Sequence, residues 1–432
     1  MYLLLLNLFK KIEFKRKIQL LFLFLLIILV SIFEVISIGA ILPFITILID
    51  YNLILSNEYF IRFFSNSTLI NKENIILYVT VFFICSILVA GFFRIILIII
   101  QTRIAYSIGG DISTEIFKKN IFQEYSYHLS NNTSKLIASI SNKADEVVVN
   151  IIGPIIYILS SVVLSLFIIL GLLLINFEIA LYTFITFFAI YSIIIFYSKK
   201  ILQSDSRIVN LERTKLIKNT QESFGAIKEV LLNRFQNIYI LNFSKSNIAL
   251  RRAQGNINII AATPRFLIEA AGLVTVVLVL YIASKNIYIG NYIPLFAVLA
   301  LAAQRLLPLF QQIFYSLSVI NGAKYALEDS LKFLNLEIPK RYLLNENIKI
   351  NIEKKLTLNE ITFGYNKKKL VLQKINLQIS VGSTIGIIGK SGSGKSTLID
   401  LIMGFIHPDS GYISVDDRKL NHENISLWQN NI

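Results

Sequence analysis

The residues with the clearest chemical meaning lie between positions 389 and 397, where the sequence reads GKSGSGKST. The stretch fits the pattern G-x-x-x-x-G-K-[ST], the spacing of a phosphate-binding loop. Glycines let backbone N–H groups turn toward phosphate oxygens, and the N-terminus of the following helix adds a positive dipole. The residues expected to hold the phosphates are Gly389, Lys390, Ser391, Gly392, Ser393, Gly394, Lys395, Ser396 and Thr397.

Two positions in this loop carry specific chemistry. Lys395 is placed to reach the β and γ phosphates, and the hydroxyl of Ser396 is the expected protein ligand of Mg²⁺. Tyr365 lies 24 residues before Gly389, at the end of a predicted strand, where an aromatic ring can stack on adenine. The alternative for Tyr365 is packing on its own hairpin. The chain is therefore expected to bind ATP with Mg²⁺.

The elements around the loop follow the order of an α/β nucleotide-binding domain. Residues 356–365 (LTLNEITFGY) and 370–379 (LVLQKINLQI) have the composition of two strands joined by a turn. TIGIIG predicts a buried strand directly before the loop, and GKSTLIDLIMGF predicts a helix after it. PDSGYISV predicts a turn into a further strand. From about residue 355 the sequence thus predicts the N-terminal part of an α/β P-loop NTPase domain.

The rest of the chain has the composition of a membrane protein. Of 432 residues, 55% are hydrophobic and 16% charged, and the mean hydropathy is +0.64. The formal net charge of +15 is spread along the chain rather than gathered in an aromatic-interleaved patch, so nucleic acid is not an expected partner. The single cysteine, Cys85, lies in an apolar run, which excludes a disulfide framework and argues against a cysteine metal site.

Six segments are long and apolar enough to cross a bilayer core, which needs about 20 residues. Lysines and arginines number 22 on one side of these spans and three on the other, so the positive-inside rule places both termini in the cytoplasm. The first apolar run is too long for a cleavable signal. Residues 1–17 mix leucines with five basic residues and predict an interfacial helix that contacts membrane lipids. The expected spans are approximately 19–49, 75–101, 147–175, 179–198, 266–284 and 292–320.

Two long polar connections, at about 102–146 and 199–265, lie on the cytoplasmic side. Their helix-favouring composition predicts that the membrane helices project into the cytoplasm; flexible loops are the alternative. Residues 52–70 predict either an outer helix touching lipid or a loop. The expected domains are the interfacial helix 1–17, a six-span transmembrane domain 18–320, a linker 321–354 and the ATPase part 355–432.

Five charged residues fall in or at the edge of predicted spans, where charge is costly and therefore a candidate for function. Arg94, Arg265 and Arg305 would give an inner cavity positive charge, and guanidinium forks suit phosphate bidentately. A diphosphate on a lipid carrier would then be a natural cargo. The alternative is internal pairing of Arg305 with Glu269 and of Arg94 with Glu34, as links between helices.

The order of six spans, a strand pair ending in FGY, the GKSGSGKST loop and a strand after PDSG resembles an ABC exporter half-transporter. The resemblance covers essentially the whole chain. It implies a membrane all-α, six-helix transmembrane domain followed by the N-terminal part of an ATPase domain. It also implies that Tyr365 stacks on adenine, that coupling helices lie near 119–133 and 220–232, and that a second copy of the chain completes a homodimer.

Three phrases, FEVISIGAILPFITI, ATPRFLIEAAG and QRLLP, are similar to the membrane part of bacterial flippases for lipid-linked oligosaccharides. The resemblance implies ATP-driven flipping of a polyprenyl-diphosphate-linked oligosaccharide or related glycolipid across the bacterial inner membrane, by alternating access. A drug, peptide or lipid exporter is a second interpretation. A third is a truncated, non-transporting ATP-binding membrane fragment.

The sequence departs from the family at its end. The family's ATPase domain continues with a Q-loop glutamine, an LSGGQ signature, a Walker B Asp-Glu pair and a switch histidine, and none of these motifs occurs here. LWQNNI at 427–432 looks like the lead-in to the Q-loop. We therefore expect this chain to bind one face of ATP, to contain no catalytic residue of its own and not to hydrolyse ATP alone.

Overall fold

A computed structural model describes residues 1–49, 72–131, 144–175, 177–263, 266, 269–270, 274, 293–339, 350–365, 369–422 and 424–432. The chain divides into two compact units. The first unit comprises Met1–Thr114 and Ile137–Leu334, and the second comprises Glu115–Leu136 and Asn335–Ile432. The predicted fifth span, the segment 52–70 and Arg265 lie largely or entirely outside the described residues.

Helices account for nearly all of the described chain before residue 335. A π-helical turn, Val148–Ile152, interrupts the third membrane segment. The α-helices in chain order are α1 (Tyr2–Lys11), α2 (Phe14–Gly39), α3 (Ile41–Ile49), α4 (Lys72–Ile121), α5 (Tyr125–Ser130), α6 (Ala144–Val147), α7 (Gly153–Ile175), α8 (Phe177–Gly225), α9 (Ile227–Leu232), α10 (Gln236–Ala262), α11 (Ile293–Gly322) and α12 (Lys324–Leu334).

Among the described residues, four helices are long and apolar enough to cross a membrane. They coincide with the first, second, third and sixth predicted spans, and α8 runs through the fourth. Large apolar side chains such as Phe82, Leu88 and Phe92 of α4 are exposed, which suits contact with lipid rather than water. A helix satisfies its own backbone hydrogen bonds, so it is the element that can enter lipid. The four spans are Phe14–Ile49, Ile75–Ile121, Asp145–Ile175 and Ala297–Gly322.

The described parts of the two polar connections are largely helical, as predicted. α8 continues without interruption from the membrane segment to Gly225, and α10 returns alongside it. The short helices α5 and α9 lie within the segments 119–133 and 220–232, where coupling helices are expected. In the predicted linker, α12 buries one face, including Leu327, Leu331 and Leu334, and packs against α1.

The second unit contains a four-stranded antiparallel sheet in the order β2-β1-β3-β4. Alternate residues of β1 face the core up to Leu358; a bulge with Glu360 at φ 46° then shifts the register, and Ile361 resumes the buried face. Trp428 packs into the hydrophobic core of this unit, and its Nε1–H donates to the carbonyl of Ile402 at 2.7 Å. The elements are β1 (Lys355–Phe363), β2 (Leu372–Ser380), α13 (Lys395–Ile402), β3 (Ser410–Val415), β4 (Arg418–Lys419) and α14 (Ile425–Gln429).

One predicted element is wrong. TIGIIG, residues 384–389, was expected to form a buried strand, but it pairs with none of the described strands and its isoleucines are exposed, with Ile388 at 99%. An apolar run becomes a buried strand only when strands flank it and layers cover it. The described sheet is antiparallel and does not include residues 384–389. The run therefore has the composition of a buried strand but no neighbouring strand among the described residues with which to pair.

The turn between β3 and β4 ties the sheet to the segment before β1. The carboxylate of Asp416 accepts the backbone N–H groups of Glu353, Lys354 and Lys355 at 3.0, 2.8 and 2.8 Å. The hydrogen bonds from Glu353 and Lys355, followed by that from Lys354, lower the pKa of Asp416 from its ordinary value. The folded state therefore favours the ionised carboxylate.

We predict that Asp416→Asn lowers the unfolding temperature of the second unit at neutral pH, because the amide offers one acceptor oxygen in place of two charged ones. Since the folded pKa is depressed, this stabilisation is complete above the unfolded value of about 3.9 and is lost as pH falls through the folded pKa. Thermal unfolding followed by fluorescence of the chain's one tryptophan, Trp428, measures the difference.

Asp417→Asn is the control, because Asp417 is exposed in the same turn and makes no hydrogen bond within the described chain. If the difference in unfolding temperature between wild type and Asp416→Asn stayed constant from pH 7 to below pH 3, the ionised carboxylate of Asp416 would not be the source of the stabilisation.

Candidate functional site

The phosphate-binding loop lies in the second unit, directly before α13. Gly392 and Gly394 adopt left-handed backbone conformations, with φ of 79° and 88°, which side chains with a Cβ rarely tolerate. Gly394 is also the N-cap of α13, and a Cβ there would lie 2.9 Å from a methyl group of Leu372. The two glycines therefore let the loop curl and bring the start of α13 against β2.

Lys395 and the loop hydroxyls occupy distinct places. The Lys395 ammonium donates to the carbonyls of Gly389 and Lys390, both at 2.8 Å, so it lies across the mouth of the loop. Ser396 is exposed in the first turn of α13, whereas Thr397 is buried beneath it. The predicted phosphate-binding residues are thus brought together around one helix N-terminus.

Tyr365 joins this site from the end of β1. Its hydroxyl lies 3.2 Å from Oγ1 of Thr397, within hydrogen-bond distance. Its ring meets that of Phe363 edge-on, with centroids 5.1 Å apart, while 51% of the residue stays exposed. Asp409 fixes the turn by accepting the N–H of Gly364 at 2.9 Å. The tyrosine packs on its own hairpin and also keeps an open face beside the loop, so the two interpretations of Tyr365 are compatible.

The donor set suits a magnesium-bound nucleoside triphosphate. Mg²⁺ takes oxygen ligands and keeps several waters, so one serine hydroxyl together with phosphate oxygens is a typical protein contribution. Ser396 offers that hydroxyl beside an ammonium and a helix N-terminus, both of which favour negative charge. Clusters of three or more acidic, histidine or cysteine ligands are not found within the described ranges.

In the membrane part, one carboxylate holds two of the predicted arginines. Glu34 of α2 is completely buried and accepts from Arg94 of α4 at 3.2 Å; Arg305 of α11 donates to its other oxygen. The pairing of Arg94 with Glu34 is confirmed. The pairing of Arg305 with Glu269 is wrong: Glu269 is exposed, and Arg305 turns instead to the buried carboxylate. We call Glu34, Arg94 and Arg305 the membrane triad.

The membrane triad borders a cavity of about 400 Å³. Arg94 and Arg305 both line it, together with polar groups from Ser37 and Gln304. Two guanidinium groups face one carboxylate, so the cluster carries an excess positive charge, and their side chains remain 33% and 23% exposed. The arrangement can attract an anion without leaving a buried charge unpaired.

Sequence reasoning missed that both arginines share Glu34. The signal was present, because Glu34 is the one acidic residue in the first three predicted spans and Arg94 is the one basic residue in the second. A carboxylate in lipid needs a cation, which makes this pair almost obligatory. The third partner, Arg305, comes from 271 residues further along the chain and has no local signal.

Comparison with known protein families identifies the family of this chain. Residues 18–309, more than half of the chain, match the ABC transporter transmembrane region, and residues 372–432 match the ABC transporter family. The chain belongs to the ABC transporter family. Its helical membrane part and its phosphate-binding loop are therefore those of an exporter-type ABC transporter, a multi-pass membrane protein.

Individual relatives of this ABC transporter cover parts of it. An ABC transporter ATP-binding protein of Mycoplasma pneumoniae is 28% identical over 239 residues, 50% of this chain and 37% of that protein. The nickel import system ATP-binding protein NikE of Staphylococcus aureus is 50% identical over 62 residues, 14% of this chain and 27% of its own length. The chain thus spans well under half of the relatives it matches.

A solved structure shows the same fold. A bacterial Atm1-family ABC exporter with ATP bound superposes with a TM-score of 0.70 at 13% identity, covering 96% of this chain and 70% of that chain. At this identity the likeness concerns the architecture alone. It supports the expected fold class, a helical transmembrane domain of ABC exporter type followed by a nucleotide-binding region.

We predict that Tyr365→Ala weakens ATP binding by about tenfold, because it removes a stacking surface for adenine, and that Tyr365→Phe leaves affinity nearly unchanged. Lys395→Ala should weaken binding further, because it removes the cation at the mouth of the loop. Equilibrium binding of labelled ATP to the full-length transporter measures all three. Tyr412→Ala is the control, because Tyr412 is an exposed tyrosine of β3 whose ring contacts the Lys419 ammonium rather than the phosphate-binding loop. Equal losses in Tyr365→Phe and Tyr365→Ala would contradict stacking.

For the membrane triad, we predict that Glu34→Gln lowers stability by about 3 kcal/mol, because two guanidinium groups lose their shared counter-charge. Thermal unfolding of the transporter in detergent measures the loss. Glu115→Gln is the matched control: Glu115 pairs with Lys119 at 3.9 Å on an exposed helix face, where an ion pair contributes little. Similar stability in Glu34→Gln and wild type would show that the triad does not hold the helices together.

Proposed function

We propose that this chain is one half of a homodimeric, ATP-driven transporter that flips a polyprenyl-diphosphate-linked oligosaccharide, or a related anionic glycolipid, across the bacterial inner membrane. The membrane triad is the observation that supports this cargo most directly. Its excess positive charge lies beside a cavity of about 400 Å³ in the part of the chain that crosses the membrane. Guanidinium groups bind diphosphate oxygens through paired, parallel hydrogen bonds. Arg265, at the cytoplasmic entry of the fifth predicted span, is proposed as a third basic contact.

ATP with Mg²⁺ is the proposed energy source. Residues 389–397 hold its phosphates, Lys395 exchanges its loop carbonyl partners for phosphate oxygens, Ser396 contacts Mg²⁺, and Tyr365 supports the adenine. The relatives extend well beyond the matched segments, so we assign hydrolysis to the full-length protein rather than to the residues described here.

The second unit also contains a contact suited to coupling nucleotide binding to transport. The ring of Tyr125, at the start of α5, lies 5.3 Å from that of Phe405, three residues after α13 ends. Gln123 donates to the carbonyl of Glu337 at 2.9 Å. Since α13 carries the phosphate-binding loop at its N-terminus, a shift of α13 on nucleotide binding reaches α5 through the contact between Phe405 and Tyr125. We propose that α5 and α9 are the coupling helices of alternating access, with both termini cytoplasmic.

The cargo proposal is tested with Arg94→Lys and Arg305→Lys in full-length protein reconstituted in liposomes. Lysine keeps a cation beside Glu34, so the fold should survive, but it lacks the fork that binds a diphosphate. We expect basal ATP hydrolysis to remain and the apparent affinity for stimulating polyprenyl-diphosphate sugar to fall about tenfold. Arg252→Lys, at an exposed position of α10, is the matched control.

Glycolipid flipping at the wild-type rate by both variants would overturn the anionic cargo. Equal stimulation of the wild type by a neutral or cationic amphiphile would favour a drug, peptide or lipid exporter.

A further inference from the structure

A second cavity, of about 280 Å³, lies in the first unit where the π-helical turn, α8, α10 and α11 approach one another. It is polar, unlike the surfaces that face lipid. Side chains that carry hydrogen-bonding groups dominate its lining, and Val209, Ile257 and Val319 add a small apolar part. The polar residues are Glu146, Asn150, Arg213, Gln254, Asn258 and Tyr315.

The charges of this cavity cancel within it. Arg213 donates to the carboxylate of Glu146, and the side chains of the pair are 23% and 9% exposed. One cation faces one anion here, whereas two cations face one anion in the membrane triad. The cavity therefore offers no excess charge to an ionic ligand, and its remaining polar groups are neutral.

Several of those neutral side chains are accessible to solvent. Within the described ranges, no hydrogen bond is made by the side chains of Asn150, Asn258 or Tyr315. Gln254 uses its carbonyl oxygen to accept from Arg251 at 3.3 Å, which leaves its NH₂ group. Gln254 and Asn258 are four residues apart on α10, so they present amides on the same helix face. Amides and a phenol both donate and accept, the pattern needed to bind hydroxyl groups.

The π-helical turn contributes Asn150 to this cavity. The N–H of Gly153 donates to the carbonyl of Val148, five residues earlier. Pro154 has no N–H, so the carbonyl of Asn150 lacks its usual helical donor. π-turns within α-helices occur frequently at functional sites. Here the turn lies at the cavity wall to which Asn150 belongs.

The two cavities are linked along α11. A third cavity, of about 360 Å³, shares Pro308 with the cavity at the membrane triad and Tyr315 with the polar cavity, and includes Gln311 and Gln312. Arg305 and Tyr315 are ten residues apart on α11, which corresponds to about 15 Å along the helix. A ligand with a charged group at one end and a neutral polar group at the other fits this order.

We propose that the polar cavity is a binding site for a neutral saccharide. The ring of Tyr315 supplies an apolar face, and the amides of Asn150, Gln254 and Asn258 supply partners for hydroxyl groups. The volume is near the lower end of ligand pockets, which suits one or two sugar rings. That the sugar is the headgroup of the cargo, with its diphosphate at the membrane triad, rests on the proposed function. A free cytosolic saccharide is the other source of the same chemistry.

The test uses full-length protein in nanodiscs, titrated with glucose, N-acetylglucosamine and lactose and followed by saturation-transfer NMR. We expect at least one saccharide to bind, and Asn258→Ala or Tyr315→Leu to weaken that binding about fivefold, as expected for the loss of one neutral hydrogen-bonding partner. Asn256→Ala is the matched control, because Asn256 and Asn258 are both exposed on α10 but only Asn258 lines the cavity. Its affinity should equal that of the wild type.

Two arms separate the sources of the sugar. ATPase stimulation that needs the saccharide joined to polyprenyl diphosphate identifies the cargo headgroup, whereas a response to free saccharide identifies a cytosolic ligand; both support the site. Failure of all three saccharides to bind wild type, or equal losses in Asn256→Ala and Asn258→Ala, would overturn it. Stimulation by sugar-free polyprenyl diphosphate, measured in Arg94→Lys and Arg305→Lys, tests the proposed function independently of this cavity.

Discussion

The membrane part of this transporter is organised around one buried carboxylate. An ionised group in lipid or in a packed helix bundle is costly unless cations approach it closely. Glu34 meets that requirement by drawing in Arg94 and Arg305, which lie on two other helices. The arrangement of α2, α4 and α11 is therefore constrained by charge as well as by apolar packing. Because two arginines pair with one carboxylate, one positive charge is not neutralised, and the cavity that both arginines line is therefore positively charged.

The nucleotide end uses backbone geometry where the membrane end uses side-chain charge. Two left-handed glycines curl the loop, and the start of α13 supplies N–H groups and a dipole. The small antiparallel sheet positions the remaining group, because β1 ends where Tyr365 reaches Thr397. The transporter thus combines a phosphate-binding loop made mainly of main chain with a membrane cluster made of one glutamate and two arginine side chains.

Local sequence patterns predicted the features that are determined by residues close together in the chain. Hydropathy identified the four spans found among the described residues, strand composition identified β1 and β2, and a nine-residue motif identified the loop. Contacts between distant segments were less accessible: Glu34 and Arg305 are 271 residues apart, and the polar cavity draws on five separate elements. The buried strand expected at TIGIIG was wrong for a related reason, because burial depends on flanking strands that a local apolar run does not contain.

The length of α8 has a mechanical consequence. Its 49 residues form one helix about 74 Å long, from the membrane segment to the turn before α9. A rod of that length works as a lever: a tilt of about 5° at the membrane end moves its tip by about 6 Å, more than a full helical turn. Because α10 packs along it, the pair resists bending, and rotation is passed on rather than absorbed. A tilt of a few degrees at the membrane end therefore becomes a displacement large enough to reposition whole side chains at the far end.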